Sequence, residues 1–264
     1  MVKYLITDMD HTLLQEDGEL DDITIRTIRQ SPIQVSLASA RNPYSMIKYV
    51  QQLQLAGPHL AMNGAIIFQV TNGQIKILQK KVINRPLSLM VQQFLNQNYP
   101  DIDFTWITAD HWYIPKMTPE MKEEMQYSGV QPVIGQQLVN TAEPCQIVLI
   151  IKDQTRFQQV QAALRSKFGD HQLAVRSSGD GYLTINPWGI NKGTLVKYLI
   201  NEKRISRSVI AGVGDDQNDL PLLAAVGHPL AVNNAVDSVK EMADQIIPGN
   251  QEDGIAQYLQ QFSH

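Results

Sequence analysis

Two acidic clusters, each placed at the end of an apolar run, are where this 264-residue sequence could do chemistry. The first is Asp8-Met9-Asp10-His11-Thr12-Leu13, which follows Val2–Thr7. The second is Gly212-Val213-Gly214-Asp215-Asp216-Gln217-Asn218-Asp219, at the end of another apolar run. Aspartates at i and i+2 leaving a hydrophobic strand put both carboxylates at its C-terminal end. Taken alone, Asp-x-Asp is an ordinary solvated turn. The second cluster changes that reading. Gly212-x-Gly214 begins like a dinucleotide-binding loop, but Gln217 stands at the third glycine position, so that fingerprint fails. Carboxylates at such a mouth repel a pyrophosphate and attract a divalent cation. Hard oxygen ligands from separate strand ends suit Mg²⁺, which keeps several waters and leaves room for a substrate phosphate.

Two more candidates lie between the clusters. Ser39, in Leu37-Ala38-Ser39-Ala40-Arg41, offers a hydroxyl and nearby backbone N–H groups to phosphoryl oxygens; by itself it reads as a helix cap. Lys192, in Gly189-Ile190-Asn191-Lys192-Gly193-Thr194, reads by itself as a surface lysine. It does not belong to a Walker A loop, which needs glycine before the lysine. His59, His111, His171 and His228 show no metal-ligand spacing.

The elements that must position these groups alternate between β-branched runs and amphipathic stretches, which predicts an α/β fold with a parallel sheet. Val2–Thr7, Gln34–Ala38 and His59–Met62 read as strands, with helices over Asp21–Gln30 and Pro43–Gln54. Ala65–Val70 and Gln74–Gln79 flank Asn72-Gly73, a strong hairpin turn. After Pro187 the same rhythm returns, with a helix over Lys192–Ile200, a strand over Ser208–Gly214 and a helix over Asp219–Ala225. Between Ile83 and Asn186 the order of elements differs, and Trp106 and Trp112 read as core. That stretch is predicted to be an inserted α+β module over 83–186, leaving 1–82 and 187–264 as the main α/β domain.

Composition removes several classes of function. Twenty-two Lys and Arg against 26 Asp and Glu give a net charge of −4, without a broad basic surface for nucleic acid or anionic lipid. One cysteine, Cys145, excludes an intramolecular disulfide or a cysteine-based zinc cluster. There is no secretory signal and no apolar run long enough to span a bilayer, so the expectation is a cytoplasmic protein without membrane partners.

Taken together and in order, the four blocks resemble the haloacid-dehalogenase superfamily, in particular its Cof-type phosphatases. Asp8-Met9-Asp10-His11-Thr12-Leu13-Leu14 is similar to that family's D-x-D-G-T-L motif. Ser39 with Arg41, Lys192-Gly193, and Gly214-Asp215-Asp216-Gln217-Asn218-Asp219 are similar to the second, third and fourth motifs. Asn63-Gly64-Ala65 resembles a recurrent turn of the same branch, and the insert falls where the family carries a C2-type cap. The resemblance implies a Mg²⁺-dependent phosphatase acting on small phosphate monoesters: sugar phosphates, nucleotides or cofactor phosphates. It implies Asp8 as nucleophile, through an aspartyl-phosphate, and Asp10 as acid and base. It implies a metal held by Asp8, the Asp10 backbone carbonyl and Asp215. Ser39, Lys192 and Asn218 would bind the phosphoryl oxygens, and Asp219 would act one layer out, on a bound water or on Lys192. A phosphomutase or a disaccharide-phosphate phosphatase on the same core is the near alternative, and a phospho-accepting signalling module is a remoter one. His11 stands where the family has glycine, Ser39 where threonine is commoner, and Ala40 where glycine is usual.

Overall fold

The structure, a computed structural model, describes residues 1–135, 143–169, 171–178 and 181–262. The chain divides into two compact units: Met1–Arg41, Met46–Leu78 and Asn191–His264 form one, and Asn42–Ser45 with Gln79–Ile190 form the other.

The first unit is built on a five-stranded sheet in the order Gln245–Ile247, His228–Val232, Ile210–Gly214, Tyr4–Thr7, Gln34–Leu37. Every pair in it is parallel. Tyr4–Thr7 lies between Ile210–Gly214 and Gln34–Leu37, with Thr7 opposite both Val213 and Leu37. Its pattern is what burial on both faces requires: Leu5, Ile6 and Thr7 are fully buried. A parallel bridge from Ala38 to Leu60 brings the short strand His59–Ala61 alongside. That strand starts a separate three-stranded sheet with Ile66–Thr71 and Gln74–Lys80. Asn72 and Gly73 turn it at φ 52° and 74°, the left-handed pair that the dipeptide promises.

Helix starts depart from the sequence expectation where loops carry function. The helix expected from Lys192 begins at Thr194, with Gly193 as its cap residue. A Cβ on Gly193 would stand 2.5 Å from the Pro221 carbonyl oxygen, so the close approach requires glycine. The expected strand Ser208–Gly214 is shortened, because Arg207–Val209 coils into a 3-10 turn capped by Ser206. Gln217–Asp219 forms another such turn before the helix Leu220–Ala225.

The second unit holds a six-stranded sheet in the order Leu173–Ser177, Tyr182–Pro187, Gln146–Ile150, Phe104–Ile107, Trp112–Ile114, Val133–Ile134. Its strands pair antiparallel except for the last pair. Helices Arg85–Asn98 and Gln154–Phe168 open on side-chain caps: Asn84 accepts from Leu87 N and Asp153 from Arg156 N. Their apolar positions Val91, Leu95, Val160 and Leu164 pack with Trp106, Ile147, Leu149 and Ile185. Trp112 joins Ile114 and Met121 in a smaller cluster, so both tryptophans are core. No helix among the described residues is long and apolar enough to cross a membrane.

Candidate active site

The site grows from the carboxyl end of the central strand. Asp8 continues that strand: its N–H donates to the Val213 carbonyl at 3.1 Å, which ties it to the neighbouring strand. Beyond it the chain turns sharply, and the N–H groups of Thr12, Leu13 and Leu14 all converge on the Met9 carbonyl. His11 takes φ 57°, a left-handed position that glycine would fill more easily. The turn therefore carries an imidazole at a backbone conformation that favours glycine.

Lys192 lies at the centre. Its ammonium, 1% exposed, is 2.7 Å from Asp8 Oδ2 and 2.7 Å from Asp219 Oδ1. The other Asp219 oxygen accepts from the backbone N–H groups of Asp215 and Asp216, at 3.1 and 3.2 Å. Asp219 thus fastens the lysine to the loop that carries Asp215. Gly214 leaves the room for this: a Cβ there would stand 2.3 Å from Asp219 Cγ. The Thr12 hydroxyl donates to Asp215 Oδ1 at 2.6 Å. Carboxylate oxygens of Asp8, Asp215 and Asp219 all lie within 4.8 Å of one another.

Electrostatics decide what this arrangement can hold. Burial drives the Asp8 carboxyl well above its ordinary range, and the charges of Asp219 and Asp215 add to the rise. Lys192 opposes it without prevailing. Burial likewise lifts Asp215 to about 6, with Asp219 adding, against the Thr12 hydrogen bond and Lys192. Lys192 moves the other way: burial lowers its pKa, but Asp219 and Asp8 outweigh that and keep it protonated. The two directions look contradictory for one ion pair. They are reconciled by counting: three carboxylates share one ammonium, so full ionisation leaves two negative charges. A buried, all-oxygen cluster with that deficit fits a divalent cation.

The remaining expected residues are placed differently. The Asp10 carboxylate is not one of the clustered three; it pairs with Arg41, whose Nε donates to Oδ2 at 2.9 Å and whose Nη2 donates to Oδ1. Its side chain is 40% exposed, while the side chain of Asp8 is 9% exposed. Ser39 is buried at the end of the strand beside Asp8, where its hydroxyl accepts from Arg41 N at 3.1 Å. Ala38 N, just before it, donates to the Thr7 carbonyl. The Asn218 side-chain oxygen is buried with no hydrogen-bond partner among the described residues. Neither Ser39 nor Asn218 bonds to the lysine–carboxylate group among those residues. Two contributors carry no assigned role in the sequence reading. Thr12 orients Asp215 and Arg41 holds Asp10, and the only signal for either is its place inside a motif.

Comparison with known proteins identifies the family. The model of the haloacid dehalogenase-like hydrolases matches residues 5–259. A 5-amino-6-(5-phospho-D-ribitylamino)uracil phosphatase of Bacillus subtilis is 25% identical over 272 residues, covering 98% of this chain and 97% of its own. Phosphoglycolate phosphatase 1 of Saccharolobus solfataricus is 25% identical over 268 residues, covering 98% and 95%. Among solved structures, a Thermotoga maritima protein superposes with a TM-score of 0.85 at 24% identity, covering 100% of this chain and 98% of its own. A putative HAD/COF-like hydrolase from Plasmodium vivax superposes with a TM-score of 0.87 at 20% identity, covering 98% and 94%. The chain belongs to the haloacid dehalogenase-like hydrolases. Within them it is an enzyme of the Cof type, a phosphatase.

Proposed function

We propose that this enzyme hydrolyses small phosphate monoesters through a phosphorylated Asp8, with Mg²⁺ at the site. The observation that carries the reading is the buried Lys192 ammonium between Asp8 and Asp219, at 2.7 Å from each. A carboxylate that must attack a phosphate dianion needs positive charge beside it, and Asp8 has it in place before substrate arrives. An Asp8 oxygen attacks phosphorus and the bond to the leaving oxygen breaks, while Asp10 delivers a proton to that oxygen. Water then attacks the same phosphorus, Asp10 takes its proton, and the bond to Asp8 breaks to release inorganic phosphate. Ser39, Asn218 and Lys192 hold the phosphoryl oxygens; the buried Ser39 hydroxyl, which accepts from Arg41 N and keeps its own proton to donate, supports that assignment.

Asp8, Asp215 and the Asp10 backbone carbonyl would hold the metal, with Asp219 acting through Lys192. When bound, Mg²⁺ supplies the positive charge that keeps Asp8 ionised and offsets charge on the phosphoryl group. The second unit, inserted in the chain between Ser39 and Lys192, is assigned the role of a cap that reads the leaving group and excludes water. The relatives named above act on a ribityl phosphate and on phosphoglycolate, and both compounds belong in the first substrate panel. A cytoplasmic location completes the reading.

The test is phosphate release from p-nitrophenyl phosphate and a panel of phosphorylated metabolites, with Mg²⁺ and with excess chelator. The expected result is metal-dependent turnover that Asp8→Asn and Asp10→Asn each reduce by about 10³-fold or more. Release that survives Asp8→Asn overturns the reading.

A further inference from the structure

The strand His59–Ala61 runs into a buried turn held in an unfavourable backbone. Met62, Asn63 and Gly64 take φ of 52°, 54° and 106°, and no other three consecutive residues among those described are all left-handed. All three are buried. Only glycine holds such a backbone freely; methionine and asparagine hold it at a cost that surrounding contacts must offset.

Those contacts lead to two separate parts of the site. Asn63 N donates to the Ser39 carbonyl at 3.1 Å and Met62 N to the Arg41 carbonyl at 2.9 Å. The turn thus grips the loop of the second motif at two points, and that loop carries the guanidinium that holds Asp10. On its other side Gly64 meets the third motif. A Cβ there would stand 2.5 Å from the Asn191 carbonyl oxygen and 2.9 Å from the Asn191 nitrogen. Asn191 is itself fixed: its N–H donates to Thr194 Oγ1 at 3.1 Å, and its carbonyl accepts from Thr194 N at 2.9 Å. Lys192 is the next residue, with its ammonium 2.7 Å from Asp8 Oδ2.

A side chain at position 64 therefore disturbs the site whichever way the collision is relieved. Either Asn191 yields and carries Lys192 with it, or the turn yields and carries Ser39 and Arg41. A misplacement of about 1 Å is enough to cost on the order of 10²-fold in rate.

We propose, resting on the roles given above to Ser39 and Lys192, that Met62–Gly64 is a positioning element. It sets the spacing between the hydroxyl that receives the phosphoryl group and the ammonium beside the nucleophile. Gly64 is the positioning residue at the point of closest approach, and it acts through Asn191 rather than on substrate.

Gly64→Ala tests this against Gly73→Ala, with p-nitrophenyl phosphate as substrate. Gly73 is also left-handed, at φ 74°, but a Cβ there meets only Gln51 Nε2 at 3.5 Å, an ordinary contact. It supplies the backbone strain without the collision. Thermal melts set the assay temperature below the transition of every variant, so only folded enzyme is compared. Gly64→Ala is expected to lose at least tenfold in kcat/KM, in kcat if Lys192 has shifted and in KM if Ser39 has. Gly73→Ala should stay within twofold of wild type. Where Gly64→Ala fails to fold, position 63 carries the test: Asn63→Gly keeps the left-handed backbone and is expected to retain at least fivefold more kcat/KM than Asn63→Ala. A folded Gly64→Ala with wild-type kcat/KM overturns the proposal, as do equal losses at 64 and 73 or equal losses from glycine and alanine at 63. A wild-type enzyme that releases no p-nitrophenol overturns the phosphatase reading itself, and the proposal with it.

Discussion

Arg41 holds Asp10 with two nitrogens, Nε to Oδ2 at 2.9 Å and Nη2 to Oδ1, while Asp8, two residues earlier, is held by a lysine. One turn of chain thus gives two carboxylates opposite surroundings. Asp8 is sealed against Lys192 and Asp219, whereas Asp10 is half in solvent on a planar guanidinium. A two-pronged contact fixes the plane of a carboxylate as well as its distance. Tyr49 extends the support: it accepts from Arg41 Nη1 at 3.2 Å and donates to the Gly18 carbonyl at 2.7 Å.

If that orientation matters for proton transfer, Arg41→Met should lower kcat for an alkyl phosphate by about 10- to 100-fold. p-Nitrophenyl phosphate, whose leaving group needs little protonation, should lose much less. Steady-state kinetics on the two esters measures the split. Equal losses on both would contradict a positioning role.

Asp8 sets activity against stability. Its carboxyl is held well above the ordinary range by burial, then by Asp219 and Asp215, so the ionised form is less favourable in the fold than in the unfolded chain. That unfavourable contribution is present at pH 7 and fades as the pH falls and Asp8 takes up a proton. Asp8→Asn should therefore abolish turnover yet raise the melting temperature in excess chelator. Differential scanning calorimetry at pH 7 decides it, and a lower melting temperature would be the wrong sign.

Gly214→Ala probes the link between the fourth motif and the lysine. The added methyl would stand 2.3 Å from Asp219 Cγ, so Asp219 must move and release Lys192. The expected loss is at least tenfold in kcat, with about 1–3 kcal/mol of stability lost to overpacking. Phosphate release and urea unfolding on the same preparation test both parts.

His59 ties stability to pH far from the chemistry. It is fully buried, and burial takes its pKa from 6.5 down to about 3; its Nδ1 accepts the Leu37 N–H at 3.1 Å, which requires the neutral ring. With the folded value depressed, only the unfolded chain takes up the proton as pH falls below 6.5. Stability is thus fully present above that value and drains away toward about 3. Between pH 7 and 5 this group should remove about 2 kcal/mol. His59→Asn, which keeps an acceptor near Leu37 N, should flatten the urea midpoint over that interval by the corresponding amount.

What the sequence discloses follows from how far apart the partners are. The parallel core was legible because Tyr4–Thr7 and Ile210–Gly214 are continuous apolar runs, and Asn72-Gly73 announces its own hairpin. Asp8, Lys192, Asp215 and Asp219 were legible as candidates because each sits in a motif at a strand end or a helix start. The contacts among them were not. Thr12 and Asp215 are 203 positions apart, and Arg41 and Asp10 are 31 apart, so only the folded sheet brings them together. Boundaries failed at Thr194 and Ile210, where a close-packed glycine and a 3-10 turn override propensity. The two-residue strand Val133–Ile134 is too short to leave a periodicity.

The central position of Tyr4–Thr7 has a consequence for biosynthesis. One neighbour, Gln34–Leu37, leaves the ribosome early; the other, Ile210–Gly214, comes only after the whole second unit has been made. Until then this largely buried strand has one edge open to foreign pairing, and the counter-charge for Asp8 has not been synthesised. A translation product truncated before Asn191 would be both inert and adhesive, which makes the stretch of message from Asn191 onward the part on which safe folding depends.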